Sequence, residues 1–221
     1  MTSRILEAYV GEYASGKSEN AINRSLGLLA RDRFVTLVDF DLVEFFYTLR
    51  PIKKELENLG LEVIAWDRED ALGFGETGTL LKAAAKGVLS RPGDIIFDVG
   101  YGAGGSKALN LVEGLLERPE LKIYLVVNTA RPMTATVKDI IAYARTFPHL
   151  DGLINNTHLG KETTPDLVQE GARKVKKAAA ILGLPLLWTS ALPTVAEQIG
   201  PRDITGAPVY RLIPFMKGAL Y

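Results

Sequence analysis

The sequence predicts an α/β fold, namely a single doubly wound domain over residues 1–221 with a mostly parallel seven-stranded sheet and helices on both faces. Three observations support this. Apolar runs rich in β-branched residues alternate with helical patterns along almost the whole chain. The runs are continuously apolar, which is typical of strands buried on both faces of a parallel sheet. No repeat, low-complexity segment or break in composition marks a linker, which favours one domain.

The predicted elements follow in order along the chain. The strands are predicted at residues 4–10, 34–40, 61–66, 94–99, 121–128, 151–155 and 184–189. The helices are predicted at residues 17–31, 43–59, 77–89, 106–117, 134–147, 166–182 and 194–199. Thr134 and Asp166 lie near predicted helix N-caps, while Gly60 and Gly183 lie just past predicted helix ends.

Composition excludes several classes of function. The chain has no cysteine, so it holds no disulfide, thiolate metal site or iron–sulfur cluster of its own. Its net charge is zero, so we expect no nucleic acid partner. The basic run 173–177 fits a solvated helix face, with a polyanion site as the alternative. Without a signal-like or membrane-spanning segment, we expect a cytoplasmic location. The tail 211–221, interrupted by Pro214 and Gly218, predicts no stable membrane association.

The most informative motif lies between the first predicted strand and helix. Residues 11–18 fit the phosphate-binding pattern G-x-x-x-x-G-K-[ST] at every fixed position. Backbone N–H groups and the helix N-terminus would cradle a polyphosphate, Lys17 would reach the β- and γ-phosphates, and Ser18 would bind Mg²⁺. The alternative is a glycine-rich turn with a solvated lysine. The expected nucleotide contacts are Gly11, Glu12, Tyr13, Ala14, Ser15, Gly16, Lys17, Ser18 and Glu19.

Carboxylates follow two further predicted strands. Asp39 and Asp41 end the second strand, where two neighbouring acids indicate a cation or water network, or else a polar strand end with one capping Asp. Asp98 ends the fourth strand and is followed by the glycine-rich stretch 100–105. An apolar strand that ends in Asp after a phosphate-binding loop is the Walker B pattern, so Asp98 is an expected Mg²⁺ ligand.

With these motifs in order, the chain resembles the MinD/ParA/CobQ group of the SIMIBI class of P-loop proteins, the branch that includes nitrogenase iron protein, dethiobiotin synthetase and cobyrinic acid diamide synthase. The resemblance implies a P-loop NTPase fold. It places Asp39 and Asp41 in switch I, with Asp41 favoured for orienting water and both near Mg²⁺. It also places Asp98 and Gly100 in switch II. Lys17, Asp39 and Asp41 are the expected catalytic residues.

One departure from this group concerns the loop itself. MinD and ParA proteins carry a lysine five positions before the conserved one, and this lysine reaches across a dimer to the partner's nucleotide. Here that position is Glu12. A carboxylate would repel phosphate, so the departure favours slow or partner-dependent hydrolysis. The synthetase members of the branch also lack that lysine.

The resemblance places base recognition after the sixth and seventh strands. It implies that Asn155 or Asn156 contacts a purine, with a turn-forming asparagine as the alternative. It also implies that the loop with Ser190, Leu192 and Pro193 touches the base. The absence of a clear N-K-x-D pattern favours adenine, so ATP and Mg²⁺ are the expected cofactors.

Other polar residues leave functions open. Arg131 would bind a second anionic ligand or pair with an acid, and His158 is either a catalyst or a hydrogen-bonded surface residue. The leading hypothesis is a slowly hydrolysing nucleotide switch or assembly factor with a protein partner or as a homodimer. The alternative is an ATP-dependent synthetase that activates a carboxylate, with a substrate pocket at residues 67–79 and 128–134. A third hypothesis is a passive ATP binder.

Overall fold

The computed structural model describes residues 3–41, 49–65 and 87–216. Eight strands form one sheet in the order β3-β2-β4-β1-β5-β6-β7-β8, and every pair of neighbours is parallel. The strands are β1 (Leu6–Gly11), β2 (Val35–Phe40), β3 (Glu62–Ile64), β4 (Asp94–Val99), β5 (Leu121–Val127), β6 (Gly152–Asn155), β7 (Leu186–Ala191) and β8 (Val209–Arg211). This architecture confirms the predicted fold class.

The strand count corrects the prediction of seven. The eighth strand, β8, has only three residues, and it pairs with β7 through Thr189–Val209, Ser190–Tyr210 and Ala191–Arg211. Its side chains are partly or fully exposed. A short, exposed edge strand has no apolar run, so hydrophobic patterning alone does not reveal it.

The helices are α1 (Lys17–Leu29), α2 (Lys53–Asn58), α3 (Gly102–Ser106), α4 (Val137–Ala144), α5 (Pro165–Leu182) and α6 (Pro193–Ile199). The helix predicted at 106–117 is wrong. Instead, five-residue α3 is followed by a 3₁₀ segment, Lys107–Leu111, and a turn in which Gly114 has φ of 75°. Glycine is a poor helix former and readily adopts positive φ, which explains the early end.

Two helix N-caps differ from the prediction by two residues. Thr136, rather than Thr134, caps α4, because Asp139 three residues later completes a reciprocal capping box. Thr164, rather than Asp166, caps α5, and Pro165 fills the first helical position. Gly183 does end α5 in the left-handed conformation, and Gly60 has φ of 98° just after α2.

Some predicted elements lie outside the described residues. These are the first part of the helix predicted at 43–59, nearly all of the helix predicted at 77–89, and the loop 67–79. Residues 217–221 of the tail also lie outside them. Within the described ranges, no helix is long and apolar enough to cross a membrane.

Buried apolar side chains form a core on each face of the sheet. On β1, Ala8 and Val10 point into one core, which α4 and α5 cover, whereas Tyr9 points into the other, which α1 and α2 cover. This alternation gives each strand two buried faces, as the continuous apolar runs predicted. Because all the strands are parallel, their carboxyl ends lie along one edge of the sheet, where ligands bind in such folds.

Candidate functional site

The loop between β1 and α1 has the conformation of an anion cradle. Gly16 is the N-cap of α1 with φ of 90°, and Ala14 also has positive φ. A Cβ atom on Gly16 would lie 2.0 Å from Asn156 Nδ2, and one on Gly11 would lie 2.6 Å from the Val126 carbonyl oxygen. Both glycines are therefore required. No side chain caps the N-terminus of α1, so its first-turn N–H groups can bind an anion.

Lys17 lies at the base of this loop. Its side chain is buried, and its Nζ donates to the Glu12 carbonyl oxygen at 3.1 Å. Burial lowers the pKa of Lys17, while the negative charges of Asp98, Asp41 and Glu12 act in the opposite direction. Lys17 is thus a buried amine whose charged form is favoured by the surrounding acids, and it is the group in this loop that can offset phosphate charge.

The Glu12 carboxylate is held by the segment after β5. It accepts hydrogen bonds from the Met133 backbone N–H at 3.3 Å and from the Thr134 hydroxyl at 3.2 Å. Thr134 also donates to the Asn128 carbonyl oxygen at 2.8 Å. Glu12 thus ties the phosphate-binding loop to the segment that follows β5.

The predicted acidic residues meet at the ends of β2 and β4. Asp39 and Asp98 are register partners on these adjacent strands, and both side chains are almost completely buried. Burial raises the pKa of Asp39 to about 7, although the Asp41 backbone N–H and Arg50 oppose the shift. Burial also raises the pKa of Asp98 to about 8, reinforced by the neighbouring Asp39 charge. The structure therefore concentrates carboxyl groups where a cation would stabilise their charged forms.

The residues beside Asp98 fit a magnesium ion. Asp98 has a side-chain hydrogen bond with Ser18, and its Oδ1 is buried without a hydrogen-bond partner among the residues that the structure describes. Mg²⁺ at such sites takes one or two protein oxygens and completes its shell with phosphate and water. Consistent with that pattern, the described part of the chain holds no cluster of three or more acids or histidines arranged as a complete metal cage.

Asp41 lies close to the exit of β4. A Cβ on Gly100 would lie 3.0 Å from Asp41 Oδ1, and a Cβ on Gly105 would lie 2.2 Å from the Gly100 carbonyl oxygen. The Asp41 N–H donates to Asp39 Oδ1 at 3.0 Å, and Arg50 Nη2 donates to the Asp41 carbonyl oxygen at 3.4 Å. The two expected switch segments are therefore in contact. Arg50, which the sequence analysis missed, lies between two of the acids, with its Nε 4.0 Å from Asp39 Oδ2.

The two candidate base-reading asparagines have different surroundings. Asn155 is fully buried, and its Nδ2 donates to the Val168 carbonyl oxygen and to Thr189 Oγ1, both at 3.1 Å. Its Oδ1 accepts from Thr157. Asn156 instead reaches the phosphate-binding loop, where its Nδ2 donates to the Ser15 carbonyl oxygen at 2.7 Å. Of the two asparagines, Asn156 is therefore the one whose side chain lies next to the phosphate-binding loop, at the carboxyl edge of the sheet.

A cavity of about 40 Å³ lies beside this asparagine. Its lining includes Gly16, Glu19, Asn156, Thr157, His158, Thr163, Ser190, Ala191, Leu192, Leu212 and Pro214. The predicted Ser190 and Leu192 are therefore brought to the end of the phosphate-binding loop, while Pro193 occupies the first position of α6. Burial and the nearby Arg131 lower the pKa of His158 to about 4, so its ring is neutral at pH 7.

Two features at this end were missed by sequence reasoning. Asn20 donates from Nδ2 to the Gly16 carbonyl oxygen at 2.9 Å and accepts from the Ser190 hydroxyl at 2.6 Å. The sequence signal that could have identified Asn20 is its position one turn into the helix that follows the phosphate-binding motif. Leu212 and Pro214 come from the tail, whose sequence carries no signal for a ligand. The predicted Tyr13 is exposed and contacts Tyr101 edge-on, with ring centroids 6.0 Å apart.

Comparison with solved structures gives the class of fold. The chain is similar to cell division protein ftsY of Thermotoga maritima (15% identity, TM-score 0.57, 86% of this chain and 62% of that chain). It is similar to signal recognition particle 54 kDa protein of Aeropyrum pernix, crystallised with GDP (19% identity, TM-score 0.54, 85% of this chain and 41% of that chain). FtsY of Mycoplasma mycoides gives 12% identity and a TM-score of 0.57 over 85% of this chain and 60% of its own.

These likenesses show that the chain shares the α/β P-loop NTPase fold of these proteins. These three proteins do not specifically support the expected resemblance to the MinD/ParA/CobQ group. The chain spans between 41% and 62% of the length of the three proteins. No family model and no curated protein matches this sequence.

Proposed function

We propose that this chain binds a magnesium nucleoside triphosphate and acts as a slowly hydrolysing switch or assembly factor, either for a protein partner or as a homodimer. One observation carries the proposal: the phosphate-binding loop brings Lys17 and Ser18 against Asp98, an acid with an unpartnered buried oxygen. In this proposal the first-turn N–H groups of α1 and Lys17 bind the phosphates. Ser18 and Asp98 hold Mg²⁺, with Asp39 supporting it.

Hydrolysis in this proposal depends on Asp41. Its backbone N–H is bonded to Asp39, and its side chain lies beside Gly100 at the end of β4. We assign Asp41 the role of orienting the attacking water. The Glu12 carboxylate is bonded to Met133 and Thr134 and supplies no positive charge to the transition state. Slow turnover, accelerated by a partner that supplies such a charge, follows from this arrangement.

We propose ATP as the nucleotide. The related 54 kDa protein was crystallised with GDP, so the fold itself accommodates guanine. In this chain, however, the position three residues after Asn156 is Leu159, where an N-K-x-D motif has the carboxylate that reads guanine. Leu159 offers no acceptor for guanine's N1–H and amino groups at the position where that motif supplies one, which favours adenine.

The synthetase alternative is less well supported. Its substrate pocket would include segment 128–134, because 67–79 lies outside the described residues. In that segment, Asn128 Oδ1 accepts from the N–H groups of Ala130 and His158, and Thr134 bonds both Asn128 and Glu12. Most polar groups of this segment are thus bonded to one another, which leaves few for a small-molecule substrate. Among the described residues, the exception is Arg131, whose buried Nε has no hydrogen-bond partner.

Calorimetric titration with Mg-ATP, Mg-GTP and Mg-ADP, with sedimentation of each mixture, tests the proposal. We expect ATP to bind more tightly than GTP and to alter the sedimentation of the chain when a partner copy is recruited. Lys17→Ala should weaken ATP about 100-fold, the effect of losing a hydrogen bond from a charged group. Lys177→Ala, an exposed lysine on α5, is the matched control and should bind normally. Unchanged affinity of Lys17→Ala would contradict the assignment of the loop.

A further inference from the structure

The chain continues after β8 into a segment that crosses the N-terminal end of α1. We name residues 212–216 the C-terminal strap. The Leu212 N–H donates to the Ala191 carbonyl oxygen at 2.8 Å, which holds the start of the strap against β7. Asn23 then pairs with Ile213 in both directions, accepting its N–H and donating to its carbonyl oxygen, each at 2.8 Å. The strap is therefore held to α1 by side chains rather than by a strand ladder.

The far end of the strap is held by Glu19, the residue that directly follows the phosphate-binding motif. Its carboxylate accepts the N–H of Phe215 at 3.0 Å and that of Met216 at 2.8 Å. The Phe215 and Met216 side chains are buried in the core beneath α1. One carboxylate thus fixes two consecutive backbone groups, and charge-assisted bonds of this kind are stronger than neutral ones.

The strap also forms one wall of the cavity beside Asn156. Leu212 and Pro214 line it on the strap side, and the opposite walls come from Ser190 and Leu192 after β7. The cavity measures about 40 Å³, enough for a few water molecules but less than a ligand site needs, since drug-sized ligands occupy several hundred Å³. Enclosing a nucleobase between these walls therefore requires one of them to move. The walls after β6 and β7 continue directly from strands of the sheet. The strap is held instead by the side chains of Glu19 and Asn23, by the Leu212–Ala191 bond and by the burial of Phe215 and Met216.

We propose that the C-terminal strap is the moving wall of a purine site. It opens to admit the base and closes on it, with the apolar faces of Leu212 and Pro214 against the ring and Glu19 as its latch. This inference rests on the proposed nucleotide binding, and it assigns to this part of the chain the control of how fast a purine enters and leaves. Because Glu19 follows Ser18 directly, the latch also places the strap next to the phosphate-binding loop.

The test uses the full chain, stopped-flow fluorescence with N-methylanthraniloyl-ATP and Mg²⁺, and a competition assay with inorganic tripolyphosphate. Glu19→Gln replaces an acceptor of two N–H groups by an amide that accepts less strongly. We expect it to raise the dissociation rate of the nucleotide about tenfold, equivalent to about 1.4 kcal/mol, and to raise the association rate as well. Tripolyphosphate affinity should not fall, since the backbone and Lys17 contacts to phosphate remain and one negative charge beside the loop is removed.

Two further variants keep the test decisive. Glu197→Gln makes the same chemical change in an exposed pair with Arg211, outside the strap, and should leave both rates unchanged. Leu212→Ala shortens a side chain of the cavity wall and leaves Glu19 unchanged, so it should also raise the dissociation rate of the nucleotide. It provides the test if Glu19→Gln does not fold. An unchanged dissociation rate in folded strap variants would overturn the inference, as would a parallel loss of tripolyphosphate affinity. Wild-type protein that binds neither ligand would instead refute the proposed function itself.

Discussion

Replacing Asn155 by alanine should destabilise the protein while leaving the nucleotide-contacting surface in place. The side chain has no exposed surface and joins three elements, since its Nδ2 reaches Val168 of α5 and Thr189 of β7 while its Oδ1 accepts from Thr157. All of its polar atoms are thus used within the fold. We therefore expect a structural effect rather than a loss of base recognition.

The magnitude follows from the bonds lost and the partners left behind. Four hydrogen bonds disappear, between 2.7 and 3.3 Å in length. The two hydroxyl groups that lose Asn155 keep other partners, because Thr189 also donates to Asp203 at 2.6 Å and Thr157 also contacts Thr129 at 3.2 Å. At about 1 kcal/mol per bond, with this partial compensation, the net loss is about 3 kcal/mol. A chain of this size should then melt about 6–12 °C lower.

Urea and thermal unfolding of Asn155→Ala measure this loss, and Asn156→Ala is the matched control. Asn156 makes one bond, to Ser15 of the phosphate-binding loop, so its removal should cost about 1 kcal/mol of stability and weaken ATP binding in calorimetry. If Asn155→Ala unfolds at the wild-type urea midpoint but loses ATP affinity, the reasoning is refuted and Asn155 reads the base.

Three other variants test separate parts of the structure. His158 has a pKa of about 4 in the folded chain and about 6.5 when unfolded, so the free energy of unfolding should fall as the pH drops from 6.5 toward 4. His158→Gln cannot take up this proton, so its free energy of unfolding should fall by about 3 kcal/mol less than that of the wild type between pH 7 and pH 4. Urea midpoints at the two pH values measure the difference. Arg24→Leu leaves the buried Glu7 carboxylate with Tyr9 as its one remaining side-chain partner among the described residues, and it should lower the free energy of unfolding by about 3 kcal/mol. An unchanged urea midpoint would contradict a stabilising ion pair. Asp41→Ala should lower phosphate release at least about 100-fold with ATP still bound, and normal turnover would remove its proposed role.

Much of the fold was predictable because the signals are local. The strand before the phosphate-binding loop, the acids that end β2 and β4, and the glycine after α5 are each written in a few consecutive residues. The parallel sheet follows from strands that are apolar on both faces. Strand β8 was not predictable in this way, because its three exposed residues are held by pairing with β7 rather than by their own pattern.

The types of residue in the candidate site were predictable from the sequence, but the directions in which their side chains point were less so. Spacing identified Lys17, Ser18 and Asp98, yet the sequence could not show that the Glu12 carboxylate bonds Met133 and Thr134, more than a hundred residues away. It also could not choose between Asn155 and Asn156. Adjacent residues on a strand point to opposite faces, so one residue of register decides which amide reaches the phosphate-binding loop.

The strands at the two edges of the described sheet are shorter than those in its middle, which affects where a partner protein could bind. Its inner strands β1, β2 and β4 have six residues each, whereas the flanking β3 and β8 have three. Charged side chains, Glu62 and Arg211, stand on these outer strands. Short, charged borders discourage another chain from adding a strand. Within the described residues, both edges of the sheet are therefore poor sites for strand addition. The protein partner of the proposed function would bind elsewhere on the surface, such as the loops at the carboxyl edge.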